Sequence, residues 1–197
     1  MSSAEWIYVV TDIETDGPRP GPHSMRSIAS VAVSADGTEH GRFEAVLETL
    51  PGAQPNPETA AWFRTVPEAW DAATMDPEPV PVVMARYVEW LDSLPQPRVF
   101  AASPLAFDGI FVDYYLARFT PHTITPGPYE KDVVFHGPGL CVRSYAAAVT
   151  GRPAAECGPQ HLPQAWFGSV PHTHRAIDDA LGYANLLVNL FSMADGG

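Results

Sequence analysis

Asp12 and Glu14 stand two residues apart at the end of the run Trp6-Ile7-Tyr8-Val9-Val10-Thr11. The run is aromatic and β-branched, with no breaker before Gly17-Pro18, and it predicts a strand buried in a sheet. Side chains at i and i+2 of a strand project from one face, so the two carboxylates would lie side by side. Carboxylates that close repel one another and call for a cation, and hard oxygen ligands suit Mg²⁺ or Mn²⁺. The pair alone says little: with 23 acids among 197 residues, about three acid-x-acid pairs arise by chance.

Two distant stretches offer further ligands. Asp108, in Ala106-Phe107-Asp108-Gly109, falls near the start of a helix that directly follows a strand, where ligands collect in open α/β sheets. An acid there is also favoured simply by the helix dipole. The third stretch is His172-Thr173-His174-Arg175-Ala176-Ile177-Asp178-Asp179. Inside one helix His174 and Asp179 would be about 140° apart, so His174 is expected at or before the helix start, over a metal held by Asp179. A helix N-terminus disfavours imidazolium and would keep His174 neutral, able to accept a proton. Asp178 is one residue out of register and is expected to face solvent.

The elements that must position these groups can be read along the chain. A Gly/Pro-rich loop over residues 16–24 leads to a second strand over 27–33, an Asp36-Gly37 turn, and a third strand over 38–47. Pro57 and Pro67 open two short helices carrying Trp62, Phe63 and Trp70. Residues 81–94 form an amphipathic helix through Met84, Tyr87, Val88 and Leu91, and 98–102 a fourth strand. A helix over 106–119 packs through Phe107, Phe111 and Tyr115. A short fifth strand over 140–142 leads into a helix over 144–149. Residues 151–173 read as mostly loop. The last helix repeats Ile177, Leu181, Ala184, Val188 and Phe191 on one face. Three leading strands followed by helix–strand alternation indicate an α/β sheet with helices on its faces, as a single domain over residues 1–197.

Taken together, strand-borne Asp12-x-Glu14, Phe107-Asp108 at mid-chain and His174-x-x-x-x-Asp179 on the final helix resemble the three motifs of the DEDDh family, the histidine branch of the DnaQ-like 3′–5′ exonucleases. The resemblance runs from Tyr8 to Leu190. It implies an RNase H-like fold with a central mixed five-stranded sheet flanked by helices. It also implies two divalent cations, Mg²⁺ or Mn²⁺, held by Asp12, Glu14, Asp108 and Asp179, with His174 as general base. The activity implied is hydrolysis of the terminal phosphodiester of short single-stranded RNA or DNA, releasing 5′-mononucleotides. Thr15, Trp62 and Phe107, with Phe63, are candidate contacts to the 3′-terminal nucleotide, although aromatic residues in short helices more often belong to the core. The long prolyl loop after Asp16 is more similar to small stand-alone bacterial exoribonuclease-like members, which favours RNA and allows a homodimer. Two departures stand out: Ser103-Pro104 replaces a common His-Asn, and Arg143 stands after the fifth strand where an Asp is frequent.

Composition sets limits on partners. With 46% hydrophobic and 17% charged residues the chain is globular. A net charge of −12 and a single lysine, Lys131, exclude broad electrostatic capture of long duplexes and favour attraction confined to a metal-loaded site. No stretch approaches a membrane span, and Met1-Ser2-Ser3-Ala4-Glu5 lacks the pattern of an export signal, so a cytoplasmic protein with reduced Cys141 and Cys157 is expected, Cys141 in the core. The rival reading is an inactive nucleic-acid-binding module on the same fold, which predicts a broken ligand set.

Overall fold

The computed structural model describes residues 6–196, so Met1–Glu5, read above for an export signal, lie outside the described residues. Its centre is the nine-residue strand β1 (Ile7–Thr15), buried along nearly its whole length. β1 pairs antiparallel with β2 (Met25–Ser34) on one side and parallel with β4 (Arg98–Ala102) on the other. β3 (Glu39–Val46) and β5 (Leu140–Cys141) close a sheet of order β3-β2-β1-β4-β5. The expected mixed five-stranded sheet is therefore present. A strand buried on both faces explains why its sequence is a continuous apolar run rather than an alternating one.

Alternation along β1 sorts the core into two layers. Ile7, Val9 and Ile13 pack against α3 (Val80–Ser93) and α4 (Leu105–Phe119), through Met84, Tyr87, Leu91, Phe111 and Tyr115. Val10 packs instead against α5 (Val142–Thr150) and α6 (Ala176–Asp195), through Val142, Ala146, Ala180, Tyr183 and Leu187. Between β3 and α3 lie α1 (Pro57–Phe63) and α2 (Pro67–Thr74). Asn56 caps α1 by accepting from the amides of Glu58 and Thr59, both at 3.0 Å. The Asn56 amide in turn donates to the Asp16 carbonyl at 2.7 Å, tying α1 to the loop that leaves β1.

Several local expectations differ from the fold. Val142 begins α5 rather than ending β5, because the strand needs only the two residues that pair with Ala101 and Ala102. Residues 151–173 hold two 3₁₀ turns, Ala154–Glu156 and Gln164–Phe167; the second seats Phe167 against Tyr183 of α6. That turn and the sheet cover α6 from two sides, so its deepest stripe is Ala176, Ala180, Tyr183, Leu187 and Leu190, while Ile177, Leu181, Val188 and Phe191 are only half-buried. Cys157, not Cys141, is the core thiol; both are free. No helix among the described residues is long and apolar enough to cross a membrane.

Candidate metal centre

Asp12 shares its strand parity with Val10, so it and Glu14 point to the face that α6 covers. Asp179 lies in the first turn of α6 on that same face. Ligand atoms of Asp12, Glu14 and Asp179 come within 4.8 Å of one another, and all three residues are buried. Asp108 stands outside that tight group. Its helix packs on the opposite face of the sheet, so it reaches the acids only around the strand ends. The parallel pairing of Thr11 with Ala102 sets those ends level and brings the first turn of α4 alongside Asp12.

The electrostatics are those of closely packed, buried carboxyl groups. Burial, and then the charges of Asp108, Glu14 and Asp179, hold the Asp12 carboxyl well above the usual range. Burial followed by Asp179 and Asp108 pushes Glu14 up to about 8. Burial pushes Asp108 up to about 7, against the opposing pull of its own amide, Arg143 and the Ile13 amide. Asp108 Oδ2 is buried without a hydrogen-bond partner. None of the four acids is paired with Arg or Lys among the described residues. Buried carboxylates are normally paired or bound to metal. An all-oxygen donor set of this charge fits hard divalent cations such as Mg²⁺ or Mn²⁺.

His174 lies two residues before α6, with Arg175 as the N-cap. Its φ of 59° is left-handed, a conformation in which His is enriched among non-glycine residues, and it folds the ring back toward the site. The ring meets Trp62 edge-on at 4.9 Å and His172 at 4.4 Å. Burial first, then His172, lowers the His174 pKa against the opposing charge of Asp179. The neutrality expected from a helix terminus thus has a different cause. Asp178, expected at the surface, is half-buried and accepts from the Thr173 hydroxyl at 2.7 Å, fixing the segment that carries both histidines. His172 was not singled out by sequence, yet its Nδ1 lies 2.7 Å from Asp179 Oδ1. The His-x-His pair was the available signal.

The candidate nucleotide contacts separate. Thr15, Trp62 and Phe107 all line one open cleft of ≈ 260 Å³ beside Glu14. Trp62 and Phe107 are 41% and 37% exposed, so Phe107 is not the packing residue of α4 that its spacing suggested. Phe63 lines the same cleft but is buried, wedged between Trp62 and Trp70. The Thr15 hydroxyl donates to the Gly17 carbonyl at 3.0 Å and is already engaged.

No family model and no curated protein matches the sequence. Solved structures do. E. coli exonuclease I in complex with a dA16 oligonucleotide superposes with a TM-score of 0.65 at 16% identity, over 95% of this chain and 42% of that one. The nuclease domain of 3′hExo, a DEDDh family member bound to rAMP, gives 0.63 at 11% identity, over 98% and 92%. Cell-death related nuclease 4 gives 0.65 at 13% identity, over 98% and 66%. The chain thus spans less than half of exonuclease I but nearly the whole 3′hExo nuclease domain. At these identities the likeness is one of fold: the chain has the RNase H-like fold of the DEDDh-type 3′–5′ exonucleases.

Proposed function

We propose that the chain is a metal-dependent 3′–5′ exonuclease that removes 5′-mononucleotides from the ends of short single-stranded nucleic acid, with RNA preferred. One observation carries this reading: three buried acids from β1 and α6 converge beside a half-buried histidine whose pKa is lowered. Asp12, Glu14, Asp108 and Asp179 would hold two divalent ions, which when bound acidify a water and offset negative charge on the reacting phosphate. His174, poised neutral, takes the proton of the water whose oxygen attacks the terminal phosphorus. The bond from phosphorus to the 3′ oxygen of the preceding nucleotide breaks. That oxygen takes a proton from solvent and leaves as the new 3′-hydroxyl. Trp62 and Phe107 flank the cleft for the departing nucleotide, and stacking there contributes about 1–3 kcal/mol per base. The net charge of −12 supports short substrates, because attraction is confined to the loaded centre. Cytoplasmic placement and pairing into a homodimer belong to the same proposal.

The test gives 5′-labelled and 3′-labelled RNA and DNA oligomers to the wild type and to Asp12→Ala with Mn²⁺. The expected result is a ladder shortening from the 3′ end, label released as mononucleotide from the 3′-labelled substrate, faster turnover of RNA, and no products from the variant. Equal activity in the variant would remove the proposed site.

A further inference from the structure

Arg143 is the residue that the acid centre leaves unexplained. β5 runs parallel to β4, with Ala102 opposite Cys141, so its C-terminal end lies on the sheet edge where β1 delivers Asp12 and where α4 begins. Arg143 follows two residues later, in the first turn of α5. Its Nε is buried with no hydrogen-bond acceptor, and its guanidinium enters no ion pair among the described residues. A half-buried guanidinium without a partner is costly unless an anion completes it. The Arg143 charge acts on Asp108 of the acid centre and on Tyr183, which stands one turn along α6 from Asp179.

That position has an electrostatic consequence. Four carboxylates and two divalent ions cancel, so an incoming phosphodiester brings uncompensated negative charge to a site whose acids are buried. A cation without an ion-pair partner next to Asp108 opposes the metals but attracts that diester, and a guanidinium offers a planar fork matched to phosphate oxygens. We propose that Arg143 is a built-in phosphate clamp, a fixed positive charge at the C-terminal edge of the sheet that binds the non-bridging oxygens of the scissile phosphate and of the nucleoside 5′-monophosphate product. This rests on the exonuclease reading for the turnover step but not for the binding step.

The experiment compares wild type, Arg143→Gln and Arg143→Lys by titration of uridine 5′-monophosphate in saturating Mn²⁺, by Mn²⁺ titration alone, and by steady-state hydrolysis of a single-stranded RNA oligomer. Arg143→Gln is expected to weaken nucleotide binding by about tenfold, lower kcat by a similar or larger factor, and tighten Mn²⁺ binding; Lys, a point charge, restores part of the loss. Tighter Mn²⁺ binding and a lower metal-free Tm with unchanged nucleotide affinity would overturn the clamp and leave Arg143 as a counter-ion to the acids. A wild type that hydrolyses no oligomer yet binds the monophosphate in an Arg143-dependent way would refute the exonuclease reading while the clamp stands.

Discussion

At the scale of single residues, the four acids have separable roles because their surroundings differ. Asp12 is the most crowded, with three other carboxylates raising its pKa. Asp12→Asn is expected to abolish turnover and yet raise the metal-free Tm by a few degrees, since one repelling charge is gone; at this chain length each kcal/mol corresponds to about 2–4 °C. Differential scanning of the metal-free protein checks the sign. His174→Gln is expected to lower kcat by about 10²–10⁴-fold while leaving the Mn²⁺-induced rise in Tm intact, because in the proposed mechanism the histidine moves a proton and the acids hold the ions. A His174 variant that lost the metal-induced rise would make the histidine a ligand instead. The convergence of Asp12, Glu14 and Asp179 near His174 was legible in sequence because their types and order are distinctive. His172 was not: its approach to Asp179 depends on the left-handed turn at His174, which no hydrophobic period announces. Arg143 was visible only as a departure from a family pattern, and its environment needed the parallel register of β4 and β5.

At the scale of elements, β1 could be read almost to the residue, since a long apolar run closed by Gly-Pro has one physical interpretation. The face of α6 could not. A helix covered by the sheet on one side and by the Gln164–Phe167 turn on the other is apolar nearly all round, so periodicity alone selected the half-buried stripe. Elements away from the acids affect stability or substrate grip rather than chemistry. Tyr87 of α3 reaches Ser30 at 3.1 Å, and Ser30 reaches Thr11 at 2.7 Å, a buried hydroxyl chain beneath β1. Tyr87→Phe is expected to cost about 1 kcal/mol in urea unfolding with kcat unchanged. Asn56→Ala removes the cap of α1 and loosens the helix that presents Trp62. A loss of about 1 kcal/mol and a raised KM at constant kcat are expected, which steady-state kinetics would distinguish from damage to the centre.

At the scale of the whole molecule, a sheet whose order is β3-β2-β1-β4-β5 gathers acids from the start, middle and end of the chain at one edge, and the fold carries the repulsion among them. Glu14 and Asp108 have folded-state pKa values of about 8 and about 7, raised from 4.5 and 3.8. Between those limits the folded metal-free chain keeps protons that the unfolded chain has released. Stability is therefore greatest below about pH 3.8 as far as these groups are concerned, and falls as pH rises toward about 8. Saturating Mn²⁺ should flatten that slope, and thermal melts across the range would show it. The most direct measurement is calorimetric titration of Mn²⁺ into the metal-free protein at neutral pH in buffers of different ionisation enthalpy. The expected result is saturable binding approaching two ions per chain, with protons released from the raised carboxyls, and loss of that binding in both Asp12→Asn and Asp179→Asn. A flat titration, or binding untouched by either substitution, would contradict the idea that these distant acids share a metal centre.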